Sequence, residues 1–457
     1  MPNLITTDNS KKKLENFSNI YDTLTVAANS TLAEIVENNK NLLIFPANLG
    51  ENEDEIGKLS IFRLSGSREN ATIKTGNLIG FVGIRPKNQN NEAKNVYLTI
   101  RSRFSSGDND FFMQYMLQKV FSINLVDFKF TTGQDYIFNL MMFLFPYMLK
   151  KAMRQGIYRT YQTFRRNDAN IKGTIDISRH IRMNIPFAGN VAYSSRERTA
   201  DNPVIQLIRH TIEEIKAGTF GKNILNCDDD MRRNVSMIVE ATPSYNRMAR
   251  EKVIRQNIRP FSHPYYTDYG PLRKLCLAIL RHKKISFSQS DKDEVYGILF
   301  DGAWLWEEYL DTVLHKCRFK HAKNKTRKNG ISVYREHENK LYPDFYRIGE
   351  NAAENIVLDA KYKKIDKTDI SSEDLHQLIA YIHILPACKG GLIYPYECSQ
   401  QITEIKPDIK GTLNGYGGQI FTIGVPISKA DKFPEFCDEM QQMEKDLAAL
   451  AGKGFSE

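Results

Sequence analysis

The stretch that most constrains this chain is Ile356-Val357-Leu358-Asp359-Ala360-Lys361, an apolar run carrying one acid and ending on one base. Such a run reads as a strand, and a strand sets residues i and i+2 on the same face. Asp359 and Lys361 therefore point together, while Ile356, Leu358 and Ala360 face the other way into a core. Upstream, Asp344 follows Tyr342-Pro343; downstream, Gln377 precedes Tyr381 by one helical turn. Two carboxylates plus a lysine suit hydrolysis of a phosphodiester with a divalent metal. The acids hold a hard cation through oxygens, and metal and lysine offset charge on the attacking water and the scissile phosphate. The pattern points to a nuclease centre. Read without a function, Asp359 and Lys361 are an edge-strand ion pair, Asp344 a strand-entry residue, Gln377 a surface residue and Tyr381 part of the core.

At 457 residues the chain is too long for one ordinary core, so several domains are expected. Its formal charge of +9 suits an anionic partner without requiring one. The six cysteines (227, 276, 317, 388, 398 and 437) form no CxxC pair, which excludes a structural zinc of the usual spacing and fits a reducing compartment. No signal peptide is visible, because Lys11-Lys12-Lys13 is not followed by an apolar stretch. Tyr136 to Leu149 is too short to span a bilayer and contains Asn139 and Pro146, so it reads as a buried helix. These features together predict a cytoplasmic protein with no membrane contact.

In chain order, residues 1–130 read as a β-rich domain. Leu42 to Phe45, Ser60 to Leu64, Leu78 to Ile84 and Val96 to Ile100 are short β-type runs, followed by a helix over Phe111 to Phe121. Residues 131–285 read as a mainly helical linker that contacts DNA. Arg159, Arg165 and Arg166, interleaved with Tyr158, Tyr161 and Phe164, can grip a phosphate backbone or sit on a solvated helix end. Lys172 to Ile177 reads as a turn into a strand, and Asp201-Asn202-Pro203 opens a helix running to Ala217. In residues 286–457, Ile298 to His315 reads as an amphipathic helix with Glu307 on its apolar face, where an acid needs a partner or a metal. Glu308, sharing a face with Asp311 and His315, is the alternative helix acid. The basic run from His315 to Lys328, with Lys320, Lys323 and Lys325, is a solvated loop or one that faces a duplex. Strands over Ile331 to Arg335, Leu341 to Ile348 and Asn355 to Tyr362 follow. A helix over Ser371 to Leu385, strands at Gly390 to Tyr396 and Gln419 to Val425, and a final helix from Pro434 to Leu450 complete the chain.

That order puts Glu307 on the first helix, Asp344 on the second strand, Asp359 and Lys361 on the third, and Gln377 and Tyr381 on the second helix. It resembles the PD-(D/E)XK nuclease superfamily, and the Gln-x-x-x-Tyr spacing is similar to that of RecB-like members. Across most of the chain a closer resemblance holds to the McrC-like subunits of McrBC-type modification-dependent restriction systems. It is carried by Gly80 to Pro86 with Phe111-Phe112, Gly173-Thr174-Ile175-Asp176, Asp201-Asn202-Pro203, Leu305-Trp306-Glu307, Asp359-Ala360-Lys361-Tyr362 and Leu392-Ile393-Tyr394-Pro395. Members typically have Phe where Trp306 stands. The resemblance implies an α+β multidomain protein whose C-terminal domain is a PD-(D/E)XK fold, a mixed sheet flanked by helices. It also implies a Mg²⁺-dependent endodeoxyribonuclease, with Mn²⁺ as the alternative ion. Asp344, Asp359, the Ala360 carbonyl and Glu307 would hold the metal, Lys361 would act on the attacking water, and Gln377 and Tyr381 would position the lysine or touch DNA. The implied partners are modified double-stranded DNA and a hexameric AAA+ GTPase ring of McrB type. The chain has no GxxxxGK[ST] loop of its own, so a motor would be another chain. The hairpin near residues 85–95, with Arg85, Lys87 and Lys94, and Arg101 beyond it, is the candidate contact to that ring. A stand-alone nuclease and a non-catalytic activator of the ring are the alternative functions.

Overall fold

The computed structural model describes residues 3–14, 20–39, 42–46, 56–86, 95–105, 109–122, 134–218, 220–259, 262–287, 295–324, 327–351, 354–364, 370–397, 405–415 and 417–455. It is a multidomain α+β protein with two compact units, Met1–Ile137 together with Lys292–Glu457, and Phe138–Asp291. Three consecutive domains were expected. The N- and C-terminal parts instead form one unit, because a strand from beyond residue 292 completes the N-terminal sheet. That sheet runs in the order Asn3–Thr7, Val96–Arg101, Leu78–Ile84, Val295–Asp301, Leu42–Phe45. Val295–Asp301 pairs antiparallel with Leu78–Ile84 and parallel with Leu42–Phe45.

This strand corrects the sequence reading, which carried a helix from Ile298. The helix starts at Gly302 and ends at Leu314; the residues before it are strand. A short apolar run is ambiguous between the two states, and a close approach decides it here. A Cβ on Gly297, whose φ is +144°, would lie 2.1 Å from the Phe81 carbonyl oxygen, so only glycine lets the two strands pair. Asp301 then caps the helix, accepting from the Ala303 amide at 3.0 Å. Leu24, Leu32, Phe62, Ile73, Leu78, Leu98, Val295 and Leu299 share one apolar core beneath this sheet.

The second sheet of this unit is mixed. Its order is Lys320–His321, Phe345–Arg347, Ile356–Ala360, Lys389–Glu397, Gln419–Ile427, Asp408–Thr412. Ile356–Ala360, Lys389–Glu397 and Gln419–Ile427 are parallel neighbours, and the strands at both edges are antiparallel. Parallel pairing needs a crossover, and helix Ser372–Ile384 supplies the first one. The expected strand at Ile331 to Arg335 is only Ile331–Ser332. It pairs with Lys340–Leu341 in a separate two-stranded sheet, and Lys320–His321 takes the edge position instead. Helix Phe433–Gly452 closes the chain.

The unit Phe138–Asp291 is helical with one antiparallel sheet, in the order Thr160–Asp168, Val191–Thr199, Thr174–Ile175. Arg165 and Arg166 lie on the first of these strands and Arg159 just before it, so the helix-end reading of this patch does not apply. Ile177–Met183 is a helix, and Asn202 caps Pro203–Lys216 through the amides of Val204 and Ile205. Among the described residues no helix is long and apolar enough to cross a membrane.

Candidate active site

All five residues of Ile356–Ala360 are buried, because a central strand is covered on both faces. The face expected to be free of core carries Val357, Asp359 and then Lys361. Val357 packs there with Leu378 and Tyr381 of helix Ser372–Ile384 and with Leu392 and Ile420 of the neighbouring strands. Asp359 and Lys361 are thus turned towards that helix, which is why Gln377 meets them. Tyr362, on the opposite face, is anchored by the N-terminal module. Its hydroxyl is 2.7 Å from Ser102 Oγ, and the Arg103 guanidinium lies 5.0 Å above its ring.

Three oxygens lie close to Lys361 Nζ: Gln377 Oε1 accepts a hydrogen bond at 3.0 Å, while Asp359 Oδ2 at 2.7 Å and Asp374 Oδ1 at 3.4 Å are charge contacts. Gln377 passes the contact on, donating from Nε2 to Tyr381 Oη at 2.8 Å. Burial works against a charged Lys361, but the carboxylates of Asp359, Asp374 and Asp344 outweigh it and raise its pKa. Asp344 sits just before Phe345–Arg347, whose Phe345 pairs with Leu358. Its Oδ2 accepts the Ala360 amide at 2.6 Å, so both acids converge on the end of one strand. Burial drives the Asp344 carboxyl well above the carboxylate range, and the charges of Glu307 and Asp359 add to it. Asp359 is also raised by burial, although Lys361 pulls it down.

Asp374, in the first turn of helix Ser372–Ile384, is a site residue that the sequence reading did not single out. Ser371 caps the helix, donating from Oγ to Asp374 Oδ2 at 2.7 Å and accepting the Asp374 amide at 3.2 Å. Burial opposes its charge, but Lys363, the Ser371 hydroxyl and Lys361 hold its pKa down. The available signal was the Ser371-x-x-Asp374 start placed one turn before Gln377.

The two helix acids meet different partners. Glu307 is half-buried, 3.9 Å from His321 Nε2, and its charge acts on Asp344. Glu308 turns away, with both oxygens held by Lys323 Nζ at 2.6 and 2.8 Å. Lys323 is therefore engaged with the protein; Lys320 is exposed, 6.0 Å from the Tyr346 ring, and Lys325 lies outside the described residues. Of the basic-aromatic patch, Arg159 and Arg165 are exposed beside Tyr161, over which Arg196 stacks at 5.0 Å, while Arg166 pairs with Glu197 at 3.0 Å. Lys87 and Lys94 lie outside the described residues, Arg85 stacks 5.2 Å over the Tyr296 ring, and Arg101 is half-buried at its strand end. An apolar surface went unforeseen: Ile177, Ile181, Met183, Ile185 and Phe187 are all more than half exposed.

The donor set fits a hard dication. Asp359 Oδ2 is buried, and the Lys361 ammonium close to it lies off the direction of a hydrogen bond, so the oxygen has a charge contact without a directed donor. Among the described residues no lysine or arginine forms an ion pair with Asp344. An oxygen-binding cation would relieve both.

The family model described as McrBC 5-methylcytosine restriction system component matches residues 73–395. No curated protein matches. Among solved structures, one similar chain comes from a refined half-complex of the tetradecameric assembly of Thermococcus gammatolerans McrB AAA+ hexamers with bound McrC. It shows 16% identity and a TM-score of 0.48, over 96% of this chain and 100% of that one. Another, from the cryo-EM structure of the Thermococcus gammatolerans McrBC complex, shows 14% identity and a TM-score of 0.34, over 69% of this chain and 88% of that one. Scores this low leave the family match to carry the assignment.

Proposed function

This chain belongs to the McrBC 5-methylcytosine restriction system component family, and on that premise we propose that it is the McrC-like nuclease subunit, a metal-dependent endodeoxyribonuclease with a PD-(D/E)XK centre. The observation that carries this reading is the convergence of Asp344, Asp359 and Lys361 at one strand end, with both acids raised by burial. A purely structural sheet gains nothing from two crowded buried carboxylates; a site that takes up a cation does.

Asp344, Asp359, the Ala360 carbonyl and Glu307 would hold Mg²⁺. When bound, the ion lowers the pKa of a water and offsets charge on the scissile phosphate. Lys361 stays protonated among its acceptors and presents a fixed cation to the developing phosphorane charge. Gln377 and Tyr381 fix the direction of its ammonium, and Asp374 holds it from the other side. The exposed arginines 159, 165 and 196 with Tyr161 form a surface suited to a phosphate backbone. The exposed apolar residues from Ile177 to Phe187 suit protein contact, in keeping with a McrB-type AAA+ GTPase ring as partner. The DNA cut would be a modified duplex.

The test is cleavage of methylated and unmethylated plasmid by wild type and Asp359→Ala, with Mg²⁺, with and without the neighbouring AAA+ protein and GTP. Cleavage of methylated plasmid that requires partner and nucleotide and disappears in the variant supports the proposal. Cutting by the chain alone would favour a stand-alone nuclease. If nothing is cut, and wild type and variant stimulate the partner's GTP hydrolysis equally, the chain is an activator and the nuclease proposal falls.

A further inference from the structure

Next to Glu307, three further side chains converge. Glu308 and Asp311 lie three residues apart on helix Gly302–Leu314, and His321 comes from the edge strand Lys320–His321; one ligand atom from each lies within 4.8 Å of the others. His321 is 6% exposed, and its backbone is fixed on both sides. It pairs with Phe345, its carbonyl accepts from Asn329 Nδ2 at 3.0 Å, and its ring lies 4.8 Å from that of Phe345. The imidazole is therefore immobilised, yet its Nδ1 is buried with no hydrogen-bond partner among the described residues. The nearest carboxylate oxygen to Nδ1, Asp311 Oδ2, stands at 3.7 Å. That gap is too long for a hydrogen bond. It matches two ligands on one cation, since metal–nitrogen and metal–oxygen distances of about 2.0–2.2 Å leave the ligand atoms about 3–4 Å apart.

We propose that Glu308, Asp311 and His321 bind a divalent cation of the borderline class, Zn²⁺ or Mn²⁺, at a site that adjoins the proposed nuclease centre but shares none of its ligands. One imidazole and two carboxylates select such an ion over Mg²⁺ or Ca²⁺, which prefer all-oxygen shells. Lys323 is the built-in competitor: its ammonium holds both Glu308 oxygens and must swing away as the ion enters. Binding through Nδ1 leaves the proton of His321 on Nε2, the nitrogen 3.9 Å from Glu307 Oε2. The ion thereby fixes an N–H towards the helix acid, the arrangement in which a metal-bound histidine donates its other ring nitrogen to a carboxylate.

The experiment uses the full chain carrying Asp344→Asn and Asp359→Asn, stripped with chelator, so that its outcome does not depend on the nuclease reading. Calorimetric titration with Zn²⁺ is expected to show one equivalent. Asp311→Asn in this background should weaken it at least about tenfold, the loss that even an outer-shell change causes. Lys323→Ala should tighten it by on the order of tenfold, because a like charge leaves the site. His321→Gln should narrow the preference for Zn²⁺ over Mg²⁺, which loss of packing alone would not do. If His321→Gln fails to fold, Asp311→Asn and Lys323→Ala, both on partly exposed side chains, carry the test. A background chain that takes up no Zn²⁺, or one whose affinity ignores both Asp311→Asn and Lys323→Ala, would show that the cluster is an ordinary ion-pair group and overturn the proposal.

Discussion

Two buried strands of this molecule carry an aspartate at or next to their last residue. Val295–Asp301 ends on Asp301, which is 7% exposed, and Ile356–Ala360 carries Asp359, which is 2% exposed. Both follow an apolar run, and both lie in the same compact unit. Their surroundings differ. Asp301 runs directly into a helix and accepts the amides of Ala303 and Trp304 at 3.0 and 3.5 Å, so backbone donors and the helix dipole take its charge. Asp359 does not itself open a helix, since the chain runs on from its strand into Lys361 and Tyr362. It faces a second acid across the strand pair and a lysine that three acceptors share. A buried carboxylate satisfied by backbone amides is architecture, whereas one left among side-chain charges retains the capacity for chemistry.

Substitutions at the two positions should separate these roles. Asp359→Asn is expected to reduce cleavage on the order of a thousandfold or more, with the melting temperature unchanged or higher, because a crowded charge is removed. Lys361→Ala should lose about a hundredfold or more, and Lys361→Arg should not restore it, since a guanidinium cannot reproduce the ammonium's contacts with Asp359, Gln377 and Asp374. Single-turnover cleavage rates measure both. A loss of folding in Asp359→Asn, with cleavage falling only in proportion, would place Asp359 beside Asp301 as a structural acid.

A pH series sharpens the contrast further. The folded pKa of Asp344 is raised, so its contribution to stability is fully present below the unfolded carboxyl pKa of about 4 and is lost as pH climbs towards the folded value. In EDTA, Asp344→Asn should therefore melt increasingly above wild type as pH rises from about 4, and Mg²⁺ added to wild type should narrow the gap. A smaller effect is expected at Asp301→Ala, which removes a helix cap worth about 1 kcal/mol and should lower the melting temperature while leaving the cleavage rate of the folded protein near wild type. Smallest is Trp306→Phe. The Trp306 indole is buried and its N–H has no acceptor among the described residues, so relief of that group offsets the lost volume, and the change should stay within about 1 kcal/mol by denaturant titration.

How much of this was legible depended on the length of the contact. The Asp359–Lys361 pair follows from the two-residue period of a strand, and Gln377 to Tyr381 from the turn of a helix. Those relations are fixed by covalent geometry once the element is known, and both hold, at 2.7 and 2.8 Å. The caps at Asn202 and Ser371 were readable for the same reason. Asp374 was not. It reaches Lys361 only because a crossover helix lands on the Val357 face of the sheet, and no local period encodes that landing.

By itself, then, the sequence determined the family, the local order of strand, helix and strand over residues 356–397, and the residue types available for a cation and a phosphate. The tertiary structure decided which of them meet. It joined the two ends of the chain through Val295–Asp301, set Glu307 beside His321 and left Glu308 to Lys323. It also moved the edge of the second sheet to Lys320–His321, bringing His321 beside Asp311. The physical reason is the same in each case. Backbone periods set the direction of a side chain within its own element, but burial and charge pairing between elements far apart in sequence select the partner, and only the packed chain has both elements in place.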